Sequence, residues 1–339
     1  MKIGSIQLEN NLVFAPLAGI TNLPMRLLAK EAGCGLVCSE MISANGLVHG
    51  SEKTRLIMAS VDSEKPLSVQ IFGSDPDTTA EAARMVEGGG ADLVDINFGC
   101  SVKKIVKTGS GVALMRTPEL ARRLMTAVRK AVSIPLTIKL RSGWDNSGRQ
   151  AIGIAKLAQD CGVDGIAIHP RTAGQGFSGC ADWSLIQKVK ASVSLPVIGN
   201  GDITAPGDAL GMLKATGCDG IMVGRAAIGN PILLSRILGA LDGRDPGPPA
   251  AAARLELMGR YAETSVRYFG EEMACLMMRS RLMWFVRGLP FAKRFRESIK
   301  RVSCLEDIRE QIDRYGQALA AIESQGLQPG PRRSIRVTH

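Results

Sequence analysis

The chain has 339 residues, of which 45% are hydrophobic and only 4% aromatic, and it carries a net charge of +10. That is length enough for one large domain plus a small one, around a core that must be aliphatic. No stretch reaches the roughly 18 apolar residues of a membrane span, which excludes a helical membrane protein, and the basic excess favours a polyanionic partner, nucleic acid above all.

Asn11–Pro16 reads as a first strand, Leu17 to Asn22 as the tight loop that ends it, and Pro24–Ala32 as a helix. Leu36–Glu40 is a second strand. Pro66–Gly73 is a third, closed by glycine, and Asp75-Pro76 then opens a helix with a cap followed by proline. Leu93–Asn97 is the fourth strand, with Pro118–Val132 as its helix; Pro135–Arg141, Gly165–His169, Pro196–Asn200 and Gly220–Gly224 are strands five to eight. The later strands are continuous apolar runs, as expected when both faces are covered. Eight such units in roughly 240 residues predict an α/β fold, a (β/α)8 TIM barrel rather than an open sheet. An open dinucleotide-binding sheet would want a glycine fingerprint after its first strand, and Gly19 lacks the two partner glycines.

The barrel is expected to occupy residues 1–241. The Gly- and Pro-rich segment 242–250 reads as a linker. From 251 to 325 a helical apolar period (Leu255, Met258, Tyr261, Ala262) predicts a small all-α helical domain of three or four helices, rich in arginine, and 326–339 reads as a disordered tail. The amino terminus, Met1-Lys2-Ile3-Gly4, carries no long apolar segment, so a cytoplasmic protein is expected. Eight cysteines are scattered without a repeated close pair. Cys34 and Cys38 have neither a second pair nor a nearby histidine to complete a metal site, so no metal is expected and the thiols read as reduced.

The ends of the strands carry polar residues that no core requires: Gln70, Asn97 with Cys100, Lys139 with Arg141, His169 with Arg171, Asn200-Gly201-Asp202, and Gly224-Arg225. In a barrel all of them converge on one rim, where ligands bind. The fourth strand breaks at Gly99 and releases the Cys100 thiol, with Lys103 and Lys104 beside it for an anion. Gly201 and Gly224-Arg225, before a short helix expected at Ala226–Ile228, suit a phosphate. Lys139 is a cation placed to hold negative charge on a bound ring.

These segments resemble the tRNA-dihydrouridine synthase family, closest to its bacterial B-type branch. The resemblance rests on Ala15–Thr21, Gln70–Gly73, Asp95–Cys100, Lys103-Lys104, Lys139–Trp144, His169–Thr172, Gly199–Ile203 and Val223–Pro231, and in the helical part on Arg281, Trp284, Gly288 and Phe295-Arg296. It runs from about residue 10 to residue 315. It implies a flavin-bearing barrel and a helical domain that helps grip tRNA. Under it, Pro16, Leu17 and Ala18 line the FMN ring, Gln70 and Lys139 bond its polar edge, and His169 lies beside it. Asn200, Gly201, Asp202, Gly224 and Arg225 hold the ribityl phosphate. Cys100 is the proton donor, Asn97 and Arg171 face the uracil, and Lys103, Lys104, Arg141, Arg279, Arg281 and Arg287 meet the RNA. Two positions depart from the family pattern: Ser101 stands where proline is usual and Asn22 where aspartate is usual.

The implied reaction reduces the C5–C6 bond of specific tRNA uridines, with hydride to C6 from reduced flavin, a proton to C5 from Cys100, and NADPH or NADH as reductant. No partner protein is implied, and a monomer is the expected state. One rival is a flavin barrel acting on a free metabolite, in the manner of a dihydroorotate dehydrogenase; the arginine-rich helical part counts against it, since a small substrate needs no such arm. A second is a catalytically dead RNA-binding barrel, which the intact Cys100, Lys139 and Gly224-Arg225 set opposes.

Overall fold

The computed structural model describes residues 1–244 and 247–324. The expected tail at 326–339, with positions 245, 246 and 325, lies outside the described residues. Two compact units are present, one of residues 1–226 with 233–244, the other of 227–232 with 247–324.

In the first unit a hairpin, β1 (Lys2–Ile3) and β2 (Ile6–Gln7), precedes the barrel. The barrel strands are β3 (Leu12–Phe14), β4 (Leu36–Cys38) with a stub β5 (Ile42–Ser43), β6 (Leu67–Phe72), β7 (Leu93–Phe98), β8 (Leu136–Gly143), β9 (Gly165–Thr172), β10 (Val197–Asn200) and β11 (Gly220–Val223). Neighbours pair in parallel, β11 returns to β3 and β4 pairs with β6, so eight strands close into a cylinder. The helices of this unit are α1 (Leu23–Glu31), α2 (Ala44–Val48), α3 (Glu52–Met58), α4 (Pro76–Gly88), α5 (Lys103–Val106), α6 (Pro118–Ala131), α7 (Arg149–Asp160), α8 (Trp183–Ser192), α9 (Pro206–Thr216) and α10 (Ile232–Leu241). This is the predicted (β/α)8 barrel.

Three local features differ from the sequence expectation. The hairpin was not foreseen, because two-residue strands are too short to show a period. Its Ile3, with the adjoining Leu8, packs in one cluster with Val13, Leu36, Leu93, Ala167, Ile198 and Met222, closing one end of the cylinder with aliphatic carbon. Strands β8 and β9 run past their expected ends at Arg141 and His169, so both Arg141 and Arg171 sit within strands. Lys103 and Lys104 lie on α5 rather than in open loop.

The period of two within each strand then decides what faces the bore. With Leu93, Ala167, Ile198 and Met222 in the interior cluster, the next inward positions are Asp95 and Asn97, Thr137 and Lys139, His169, and Asn200. Val94, Ile96, Ile138 and Ile168 face outward and are wholly buried. The cylinder is therefore apolar at one end and polar at the other.

The loop after β3 is anchored by Arg26 on α1. This guanidinium is 1% exposed, pairs with the buried Glu64 at 2.6 Å, and donates to the carbonyls of Thr21 and Ala59. Asn22 caps α1, its Oδ1 accepting from the Met25 N–H at 3.2 Å. Asparagine caps a helix as well as aspartate does, so this departure leaves the cap in place.

The second unit contains α11 (Ala251–Phe269), α12 (Glu271–Arg281), α13 (Ala292–Ser298) and α14 (Leu305–Ser324), around a core that includes Met258, Tyr261, Met278, Phe285 and Ile308. Residues 227–232 cluster with these helices. Gly229 lies against the backbone carbonyl of Trp284, where a Cβ would find no room.

Candidate active site

The polar end of the cylinder is built on a chain of hydrogen bonds crossing three strands. Asn97 Oδ1 accepts from the backbone N–H of Gly99 at 3.0 Å and of Cys100 at 2.8 Å. Those donors cannot reverse, so the amide orientation of Asn97 is fixed. Its Nδ2 must donate onward, and it meets Gln70 Oε1 at 2.8 Å. That in turn aims Gln70 Nε2 at Asp95 Oδ2, 2.6 Å away, while the Thr137 hydroxyl donates to Asp95 Oδ1 at 2.6 Å. Burial pushes the Asp95 carboxyl up; the bonds from Thr137 and Gln70 and the charge of Lys139 oppose it.

Cys100 sits on the loop that this chain holds. Its carbonyl accepts from the Val112 N–H at 3.1 Å, and Gly111, with φ +64°, backs the loop so closely that a Cβ there would lie 2.6 Å from that carbonyl. The sulfur is half-buried. Burial pushes its thiol above the ordinary range, and the Val102 backbone and Arg141 charge pull the other way. Lys103 and Lys104 are exposed. The Cys100 side chain is accordingly a protonated thiol at neutral pH.

Arg141 ties two loops together, donating to Gly99 O at 2.7 Å and to Gly176 O at 2.8 Å. Arg171 is more fully committed. It donates to the carbonyls of Ser178 and Gly179, pairs with Asp202 at 2.7 Å, and meets His169 Nε2 at 3.2 Å. Since guanidinium only donates, that imidazole nitrogen accepts and Nδ1 carries the proton. Burial, then the cations Lys139, Arg141, Arg171 and Arg225, push the His169 pKa down to about 2, so the ring is neutral. Lys139 contacts Asn200 Oδ1 at 3.3 Å, and burial followed by Arg141 brings its pKa down to about 8.

The sequence-derived rim residues Gln70, Asn97, Cys100, Lys139, Arg141, His169, Arg171, Asn200 and Asp202 are thus linked at one end of the barrel. Several carry different bonds from those the resemblance implied. Asn97 is spent on the cysteine loop and Gln70, and Arg171 on its own loop and Asp202. The Asp202 carboxylate is spent on Arg171 and on the Ala181 N–H at 2.7 Å. The short helix expected at Ala226–Ile228 is a 3-10 turn at Arg225–Ala227. In the helical unit, Arg279 gives Nε and Nη2 to the Val302 carbonyl, and Arg281 donates to Tyr261 Oη at 2.9 Å, while Arg287 is exposed. Asp95 and Thr137 received no role from sequence, although a carboxylate between Val94 and Ile96 in mid-strand was the available signal. Phe177 was also passed over: it is 46% exposed, and the Arg225 guanidinium lies 4.0 Å from its ring centroid. Among the described residues no group of three or more His, Cys, Asp or Glu stands placed to hold a metal, and no helix is long and apolar enough to cross a membrane.

A closed parallel barrel with a cationic, hydrogen-bonded rim and one held thiol belongs to the class of (β/α)8-barrel enzymes. Solved structures of that architecture resemble it at low identity. Histamine dehydrogenase from Rhizobium sp. 4-9 aligns with TM-score 0.58 and 15% identity over 78% of this chain and 50% of that one. A morphinone reductase variant in complex with tetrahydroNAD aligns with TM-score 0.54 and 14% identity over 71% and 90%. The family model described as Dihydrouridine synthase (Dus) matches residues 13–322. The chain is 39% identical over 317 residues to the probable tRNA-dihydrouridine synthase of Rickettsia conorii, covering 93% of this chain and 96% of the relative. It is 40% identical over 314 residues to tRNA-dihydrouridine synthase B of Klebsiella pneumoniae, covering 92% and 97%. The chain belongs to the dihydrouridine synthase family.

Proposed function

We propose that this protein reduces the C5–C6 double bond of uridine in tRNA to 5,6-dihydrouridine, using FMN and NAD(P)H. The observation that carries the reading is the Cys100 thiol, kept protonated by burial and held by Asn97 at the polar end of a barrel, in a chain whose family and relatives bear that name.

The residues present fit an anionic ring cofactor. Lys139, Arg141, Arg171 and Arg225 all bear on His169, while Asp95 and Asp202 are already bonded to protein donors. Lys139 would meet the ring's polar edge, where Gln70, bonded to Asn97 and Asp95, has a second amide hydrogen to offer, with Pro16, Leu17 and Ala18 against the ring's face. The backbone of Gly201 and Gly224 with Arg225 would hold the phosphate, and Asp202 would serve by fixing Arg171. Bound FMN, reduced by NAD(P)H, supplies the hydride that C6 of uracil receives. The chain's own part is acid catalysis and placement. C5 gains its proton from Cys100 Sγ, whose S–H bond breaks to leave a thiolate. Arg141, by holding Gly99 O, keeps that sulfur in register with the bore. The uridine must leave its stack to enter, and exposed Lys103, Lys104 and Arg287 supply phosphate contacts. Cytoplasmic location and a monomeric state are part of the same proposal.

The direct test incubates purified protein, FMN and NADPH with unmodified tRNA and measures dihydrouridine by mass spectrometry. Reduction of free uridine as fast as tRNA would favour the small-metabolite reading instead. Affinity for tRNA is expected to fall tenfold or more between about 50 and about 200 mM salt, as several phosphate contacts require; a flat salt response would remove the phosphate contacts from the proposal.

Lys139 gives a pH prediction. Its folded pKa of about 8 lies below the ordinary 10.5, so between those values the unfolded chain holds more protons than the fold. The empty fold therefore gains stability as pH rises through that window, while the barrel mouth loses a positive charge. FMN affinity of the apoprotein, read by quenching of flavin fluorescence, should weaken as pH passes about 8. Lys139→Met should bind weakly throughout and show no step there.

A further inference from the structure

The helical unit has a cavity of about 470 Å³ lined by three aromatic rings, Phe291, Phe295 and Tyr315, together with Arg294 and Arg314. That volume falls within the roughly 300–1,000 Å³ of small-ligand sites. Two of the rings are wall. Phe295 is buried with its centroid 4.8 Å from that of Tyr315, and the Tyr315 hydroxyl donates to the Pro290 carbonyl at 2.6 Å.

Phe291 is different. Its φ is +56°, in the left-handed region where a side chain is strained and glycine is the ordinary occupant. It precedes α13 at the capping position and makes no side-chain cap. It is also 49% exposed, so burial does little to offset the strain. A large ring kept half in solvent at a strained position, on a cavity, points to function rather than to packing. The charge around it is basic. Arg294 is exposed one turn along α13, and Arg314, which also pairs with Glu310 at 2.5 Å, faces the same cavity from α14. An exposed aromatic face flanked by guanidinium groups is the chemistry that takes an unstacked base and its phosphate.

We infer that this cavity takes one unpaired nucleotide of the RNA substrate, its base stacked on Phe291 and its phosphate held by Arg294 and Arg314. The inference rests on the tRNA reading above. It adds a second contact point, lying wholly within the helical unit, that neither the reaction nor the barrel requires.

The test uses flavin-loaded, full-length enzyme and end-labelled tRNA. Phe291→Gly relieves the backbone and deletes the ring together. Its melting temperature should hold or rise, while tRNA affinity by fluorescence anisotropy falls about tenfold, within the usual worth of one stacked base. Phe291→Tyr and Phe291→Trp should keep wild-type affinity. Arg294→Gln should weaken binding and flatten the dependence of log affinity on log salt by a little less than about one unit, the signature of one lost phosphate contact. A Phe291→Gly enzyme that binds tRNA as wild type does overturns the inference. So does one that binds less and also melts lower, since the ring would then be a packing residue. Failure of the underlying function is read separately, as wild-type enzyme that neither binds tRNA nor forms dihydrouridine, and it removes this inference as well.

Discussion

Replacing Cys100 with alanine is expected to lower dihydrouridine formation by about 100- to 10,000-fold, the span of a lost general acid. The protein should remain folded and keep its flavin, because the sulfur is half-buried and the loop is held through the backbone N–H and carbonyl of residue 100, which alanine retains. Cys100→Ser separates acidity from shape: a hydroxyl fits the space but gives up its proton far less readily, so serine should restore little. The pH profile adds a second readout. Burial raises the Cys100 pKa above its ordinary value, so the thiol stays protonated through neutrality and beyond. Lys139, with a pKa of about 8, loses its charge first. The alkaline fall in flavin loading, and with it in turnover at low flavin, should therefore begin with Lys139, and Lys139→Arg, which stays charged, should carry both to higher pH. Turnover by Cys100→Ala within a factor of two of wild type would take the sulfur out of the reaction.

How much of this was legible beforehand depends on whether a feature is local. The eight strands were readable because each is a short apolar run closed by a breaker or a polar residue, and the rim followed once the barrel was inferred. The bonds at the rim were not readable, since they depend on register between strands. Gln70 and Asp95 are 25 residues apart in sequence yet sit opposite each other in the β6–β7 ladder, as Asp95 and Thr137 do in β7–β8. For the same reason sequence set Arg171 against the uracil and Arg279 and Arg281 against the RNA without showing the bonds they make to Asp202, Val302 and Tyr261. An arginine is visible in a sequence; its partner is not. The β1–β2 hairpin was missed on other grounds. It has no periodicity to detect, and only the cluster around Ile3 shows that it closes one end of the bore.

The Asp95–Gln70–Asn97 chain leads to the other large effect. Each amide in it is oriented by its neighbour, and Asp95 is where the donors end: both its oxygens accept, at 2.6 Å each. Asparagine at this position keeps the shape but offers one acceptor and one donor, so either the Thr137 hydroxyl must turn to accept, giving up its bond to a carboxylate, or Gln70 must reverse. A reversed Gln70 would present its amino group to Asn97 Nδ2, donor against donor, and the acceptor that holds the Gly99 and Cys100 amides would be disturbed. Hydrogen bonds to a charged group are worth about 1.5–3 kcal/mol, so Asp95→Asn should cost about that in stability. It should also lower turnover by about 100-fold, because a small misplacement of a catalytic group carries that order of penalty. Stability alone does not distinguish a positioning residue from a packing one. Alkylation of Cys100 by iodoacetamide does: a loosened loop exposes the sulfur and should speed the reaction several-fold in Asp95→Asn, whereas Thr137→Val, which leaves the Gln70 bond intact, should alkylate close to the wild-type rate. If Asp95→Asn melts lower yet turns over and alkylates as wild type does, the carboxylate supports the barrel and does not position the thiol.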